Sequence, residues 1–178
     1  GQDALGTYVT VPMQSKYTTS SERLGNGVAY NRSDYSLYVT DTQNGRVMVY
    51  DNNGTLSDQI GTGTGSGAQQ LDTPLGISVR DSYGFVADFG NDRVQKFSTG
   101  TGTFISSWST PNPIALATNA SSETYVLDSA GTIRQYSASN APLAEWTDSV
   151  LQTSYPTGIA TDVDGNVYVA ASSSVRKY

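Results

Sequence analysis

The 178-residue chain repeats itself four times, and that repeat restricts its fold more than any other property. Four segments align: LYVTDTQNGRVMVY (37–50), GFVADFGNDRVQKF (84–97), TYVLDSAGTIRQY (124–136) and NVYVAASSSVRKY (166–178). Their terminal aromatics, Tyr50, Phe97, Tyr136 and Tyr178, are spaced by 47, 39 and 42 residues. A period of ~40–45 residues is that of propeller blades, each a supersecondary unit that cannot bury its apolar faces alone.

Two further pieces recur with each segment. Before it comes a short alternating run closed by a turn: 26–31, 75–81, 114–119 and 157–165. After it comes TLSDQIG (55–61), TFISSWS (103–109) or PLAEWTD (142–148), reached through turns containing Gly54, Gly102 and the Asn140-Ala141-Pro142 step. One repeat thus supplies an inner strand, two middle strands joined by a polar hairpin, and an outer strand. The expected fold is all-β, a β-propeller of about four four-stranded antiparallel blades. Val39, Ala87, Leu127 and Ala170, with Val47, Val94, Ile133 and Val175, are expected to face a neighbouring blade. Asp41, Asp88 and Asp128 close the first middle strand, where a carboxylate can accept backbone N–H bonds from the following turn. The fourth copy has Ala171 there.

From Leu24 onward the chain resembles the NHL-repeat β-propellers. The matching pieces are Pro74-Leu75-Gly76-Ile77 and Pro156-Thr157-Gly158-Ile159-Ala160, then Val86-Ala87-Asp88, Asn91-Asp92-Arg93-Val94, Lys96-Phe97 and Gly102-Thr103-Phe104. The third and fourth copies depart from the pattern in the hairpin, where Ala130-Gly131-Thr132 and Ser172-Ser173-Ser174 replace the Asn-x-Arg element. The resemblance implies a propeller but no particular activity. Some propellers of this kind bind RNA through basic faces, and those resembling lactonases or peptidyl-amide lyases hold a metal near the central channel.

The expected organisation is one domain over 1–178, with a closing strand and linker in 1–20 and repeats at about 24–70, 71–111, 112–153 and 154–178. The fourth repeat lacks an outer strand, and the stretch 5–12 alternates like one, so Thr7, Tyr8, Val9, Thr10 and Val11 are expected to complete the last blade. Three arrangements satisfy this count. The strand closes its own ring, completes a neighbouring chain, or belongs to a longer propeller of which this sequence is an excerpt.

The chain contains neither cysteine nor histidine, which removes disulfides, Ser-His-Asp and Cys-His catalysis, and the commonest transition-metal ligand. Its net charge of −6 and scattered basic residues argue against a nucleic-acid partner. No apolar run approaches the ~20 residues of a membrane span. Catalytic and metal-binding residues are therefore not nominated, and no cofactor is expected. Calcium has one local pattern, Asp162-Val163-Asp164-Gly165-Asn166, but the bidentate Glu of a calcium loop is missing and an Asp-Gly hairpin explains the same residues. The Gly61–Gly67 stretch lacks the lysine of a phosphate loop and reads as a flexible inter-blade connection, the better candidate for a binding loop. Asn31, Asn53 and Asn119 head N-glycosylation sequons in predicted turns, which with the acidity points to an extracellular or cell-surface setting. Tyr17, Tyr35, Tyr83 and Tyr155 lie outside the repeating columns and supply contact area or pack beneath loops. These observations favour a non-enzymatic structural or protein-interaction module, with self or another protein as partner and a surface assembly or filament as one outcome. A metal-dependent hydrolase or lyase of lactonase type is the alternative, and RNA binding comes third.

Overall fold

The computed structural model describes residues 27–153, 156–172 and 174–178. The first blade contains β1 (Val28–Asn31), β2 (Ser36–Asp41), β3 (Arg46–Tyr50) and β4 (Leu56–Ile60). The second contains β5 (Pro74–Arg80), β6 (Tyr83–Asp88), β7 (Arg93–Ser98) and β8 (Phe104–Ser109), and the third β9 (Pro113–Thr118), β10 (Thr124–Asp128), β11 (Thr132–Tyr136) and β12 (Pro142–Thr147). The fourth sheet has three described strands, β13 (Pro156–Thr161), β14 (Val167–Ala171) and β15 (Ser174–Lys177). Each sheet is an antiparallel meander in chain order, and the described residues include one short helix, α1 (Ser149–Thr153). This is the expected all-β propeller with four blades. Residues 1–26, including Thr7, Tyr8, Val9, Thr10 and Val11, lie outside the described residues.

The blades stack through three apolar clusters, one per junction. Tyr38, Val47, Val49 and Ile60 of the first blade meet Ile77, Val86 and Phe97 of the second. Phe85, Ala87 and Val94 meet Leu116, Val126 and Tyr136, and Tyr125, Leu127 and Ile133 meet Val167, Val169 and Ala171. Alternation along each strand explains the arrangement: in β6, Phe85 and Ala87 face forward to the third blade while Val86 faces back to the first. Inner strands β1, β5, β9 and β13 pack in that sequence, and no comparable contact joins β13 to β1 among the described residues. The described blades form an open arc.

One expected column needs correction. Val39 does not share the forward face of Ala87 and Leu127. Thr40 does, because it pairs with Val47 as Ala87 pairs with Val94. Thr40 is buried there because its hydroxyl donates to the Leu75 carbonyl of the next blade at 2.8 Å and accepts from the Gly27 amide at 2.8 Å. The apolar alternation of Leu37-Tyr38-Val39 concealed a threonine whose polar atom is satisfied across the junction.

Glycine is needed in β6 for space. A Cβ on Gly84 would overlap the Phe97 ring, which lies over Gly84 and packs between Tyr38 and Phe104. Gly84→Ala should therefore destabilise the protein by about 1–3 kcal/mol, the usual cost of overpacking a filled core. Chemical denaturation would measure it, and an unchanged midpoint would show that the ring moves aside freely.

Candidate functional site

The polar chemistry of the repeat concentrates at the β2–β3, β6–β7 and β10–β11 hairpins, on the rim where linkers pass between blades. Asp88 is buried and uses both oxygens. Oδ1 accepts the Asp72 amide at 2.6 Å and Asn91 Nδ2 at 3.0 Å, while Oδ2 accepts Arg93 Nε at 2.6 Å and Gln95 Nε2 at 3.2 Å. Arg93 then reaches back over the preceding linker, donating to the carbonyls of Ser66, Gly67 and Gln70, each at 2.9 Å. Asn91 donates to the Gly65 carbonyl. The Gly61–Gly67 connection is accordingly a fixed element and not the flexible loop expected from its composition. Its Thr62 and Gly65 amides and its carbonyls are held by hydrogen bonds. The signal that could have shown this is the Asn-x-Arg element two strands later, which needs carbonyl acceptors.

The other copies vary the same latch. Asp41 accepts Asn44 Nδ2 and Arg46 Nε, but the pair is part-exposed and Arg46 turns its remaining described bond to Gln59. Asp128 caps the following turn as expected, accepting the Ala130 and Thr132 amides, and pairs with Arg134 at 2.7 Å. Backbone capping by the following turn is thus confined to Asp128; Asp41 and Asp88 take side-chain donors, and Asp88 takes a linker amide. The fourth blade, which lacks the aspartate, borrows one: Asp148 from the preceding linker accepts Arg176 at 2.7 Å and Tyr178 Oη at 2.7 Å. Sequence reasoning did not single out Asp148. The available clue was Arg176, which occupies the column of Arg134 in the repeat where Ala171 replaces the aspartate.

In the calcium-like run the Asp162 carboxylate is engaged by protein donors. Asp162 Oδ1 accepts the Asp164 and Asn166 amides, and Oδ2 accepts Asn166 Nδ2 and Tyr168 Oη. Each carboxylate oxygen already has two protein donors, as the Asp-Gly hairpin reading requires. Among the described residues, no three acidic side chains gather in metal-ligand geometry. The hydrogen bond from Asn166 above all, reinforced by Tyr168 and two backbone amides, holds the Asp162 carboxyl down at about 2. Asp148 is likewise held at about 2, first by the Tyr178 hydroxyl and then by the Val150 amide and Arg176.

The three sequon asparagines have different environments. Asn31 is buried, its Nδ2 donating to Asp34 and to the Asp81 carbonyl of the next blade. Asn119 is also buried, with Nδ2 on Glu123 and Oδ1 capping the Ser121 and Glu123 amides. Asn53 is exposed in the β3–β4 turn. Two of the three are therefore turn-capping residues whose amide nitrogen is engaged. Of the tyrosines outside the columns, Tyr35 is exposed at φ 58 on the β1–β2 turn, and Tyr83 lies beneath Lys96 Nζ at 4.2 Å. Tyr17 and Tyr155 lie outside the described residues.

The family description of a beta-propeller repeat, SBBP, matches residues 151–176. Among solved structures the chain is similar to a streptogramin B lyase, with 23% identity and a TM-score of 0.66 over 82% of this chain and 47% of that one. It is similar to a catalytically inactive histidine-to-alanine variant of virginiamycin B lyase from Staphylococcus aureus with quinupristin, with 18% identity, a TM-score of 0.65 and coverage of 84% and 49%. A third likeness is to Kuenenia stuttgartiensis hydrazine synthase, at 11% identity and a TM-score of 0.67 over 93% and 52%. These likenesses establish the propeller fold, and the chain spans about half the length of each of the three. No curated protein sequence matches it.

Two measurements follow from the latches. Removing a buried partner of an ion pair costs about 3–5 kcal/mol, so Asp88→Ala should lower stability by that order. The part-exposed Asp41→Ala should cost at most about 1 kcal/mol. Equal losses in denaturant titrations would refute the ranking. Because the folded pKa values of Asp148 and Asp162 lie below the ordinary 3.8, their stabilisation is complete above 3.8 and is lost as pH falls towards 2. The thermal midpoint should drop through that window, and Asp148→Asn should flatten part of the drop. An acid limb identical in the variant would remove Asp148 from the account.

Proposed function

We propose that the chain is a non-enzymatic β-propeller module of the NHL-repeat kind. It acts outside the cell or at its surface as a structural or protein-interaction part, with its N-terminal strand, Thr7 to Val11, serving assembly. The observation that carries this reading is the saturation of the repeat's acids. Asp88, Asp128, Asp148 and Asp162 each accept protein donors on both oxygens, so they are engaged in holding turns and linkers in place. What the described residues present at the surface instead is apolar side chains and tyrosine, such as Val28, Tyr30 and Tyr35, the currency of protein contact. Exposed Asn53 is the sequon that fits a glycan, and acidity is consistent with a secreted chain. A net charge of −6 weighs against RNA.

Catalysis is the second reading, favoured by the likeness to streptogramin B lyases. Against it, a histidine-to-alanine change leaves the virginiamycin B lyase inactive, and this chain has no histidine. Its span of about half those proteins also leaves half of such a ring unaccounted for.

The purified chain, supplied with magnesium or calcium, should turn over neither simple lactones nor streptogramin B above the uncatalysed rate. Elemental analysis should find no stoichiometric divalent ion. Turnover, or one tightly held ion per chain, would overturn the non-catalytic reading.

A further inference from the structure

One register position on the backward face of the blades meets the preceding linker in two junctions and is left open in the junction between them. Gln95, Arg134 and Arg176 hold that position, paired across their hairpins with Val86, Val126 and Val169. Between the first and second blades the linker 61–73 lies over it. Gln95 Nε2 donates to the Gln70 carbonyl at 2.7 Å, and Arg93 on the same strand donates to the carbonyls of Ser66, Gly67 and Gln70. Between the third and fourth blades the acceptor for Arg176 is Asp148, from the linker that carries α1. Between the second and third blades the linker is only Thr110-Pro111-Asn112. Its Thr110 and Asn112 amides are tied to Asp92, so the chain turns straight across the rim, and the described acceptors of Arg134 are side chains of its own blade.

The short linker leaves a groove of about 370 Å³, lined by Pro111, Arg134, Tyr136, Pro142, Leu143 and Glu145 among others. Leu143 is 52% exposed there. Arg134 spends Nη1 on Asp128 at 2.7 Å and Nε on Glu145 at 2.9 Å, while its Nη2 donates to no described residue. With that side chain only 17% exposed, the groove it lines is the approach open to a further acceptor. Glu145 is well exposed, and its Oε1 accepts from no described residue.

We propose that this groove docks an extended segment of a partner protein, which takes the place that the chain's own linker takes in the neighbouring junction. Backbone carbonyls of the segment accept from Arg134, as those of Gly67 and Gln70 accept from Arg93 and Gln95. A proline or aliphatic side chain covers Leu143, and a lysine or arginine meets Glu145. Main-chain hydrogen bonds combined with separate contacts for individual side chains are the usual way in which extended peptides are recognised. Charge decides against an acidic segment: Arg134 already sits between the carboxylates of Asp128 and Glu145, and the chain as a whole carries −6, so neutral carbonyls and a basic side chain complement the groove. The inference rests on the protein-interaction reading above and deepens it by placing the contact surface and stating the partner's chemistry.

A displayed library of random short peptides, selected on the immobilised full chain, tests this. Selection should enrich peptides that carry a lysine or arginine near a proline or aliphatic residue, and synthetic copies of them should bind the chain in solution. Leu143→Ser, a change at an exposed position, should weaken that binding about tenfold while the far-UV circular dichroism and the denaturation midpoint stay unchanged. Glu145→Lys should turn the selection towards acidic peptides. No enrichment over a blank surface, enrichment of acidic peptides by the unaltered chain, or peptides that bind Leu143→Ser as tightly as the unaltered chain would each overturn the groove. The non-catalytic reading is judged separately by turnover and metal content. A chain that binds peptides through Leu143 and also cleaves lactones would overturn that reading and leave this one standing, and an inactive chain that enriches no peptide would do the reverse.

Discussion

Face-to-face stacking of sheets is the interaction on which this fold depends. A lone four-stranded meander has two faces, and both are apolar here: β6 alternates Phe85 and Ala87 on one side with Val86 on the other, all buried. Fully burying one such side chain is worth about 1.5–3 kcal/mol, so a blade with either face open forgoes several times that. Each blade is thus stable only between neighbours, which is why the repeat recurs instead of standing alone.

The polar hairpin ends set how the blades follow one another. Arg93 ties its own blade, through Asp88, to the linker carbonyls of the preceding connection, so a charge pair that would be of small value at the surface becomes a crossing point of two backbone segments. The fourth blade reaches the same end with the acid coming from the preceding linker and the base from the blade. What persists between copies is that a guanidinium meets a carboxylate at the hairpin rim. The residue that supplies it is free to change.

Period, strand order and blade count were legible in the sequence because they follow from aromatic spacing and alternation, which act within single strands. The errors arose where a residue's partner sits on another blade. Val39 was expected in the column that Thr40 occupies, because the Leu75 carbonyl that accepts the Thr40 hydroxyl lies on the next blade, and the glycine-rich connection looked loose until Arg93 and Asn91 supplied donors. The Asn-x-Ser patterns at Asn31 and Asn119 likewise record neither the Asp81 carbonyl of the next blade nor the Glu123 carboxylate of the same turn, which engage their amides. Asp148 carried no local pattern at all, since its partners Arg176 and Tyr178 are about 30 residues away.

The same distinction explains how the repeat uses its own chemistry. Every interior carboxylate described above is already a structural group, and every interior face is covered, so the repeat consumes the polar and apolar groups it contains. A repeat terminated at any blade leaves one forward face, one backward face and one strand edge unspent, and these are complementary because each internal junction is made from the same pair. Whether such ends generate a ring or a fibre depends on the rotation between successive blades: a rotation that returns to its start closes the assembly, and any other continues it. Closure leaves no apolar face and no unpaired edge, so it is the arrangement in which the stacking that builds each junction is satisfied at all of them.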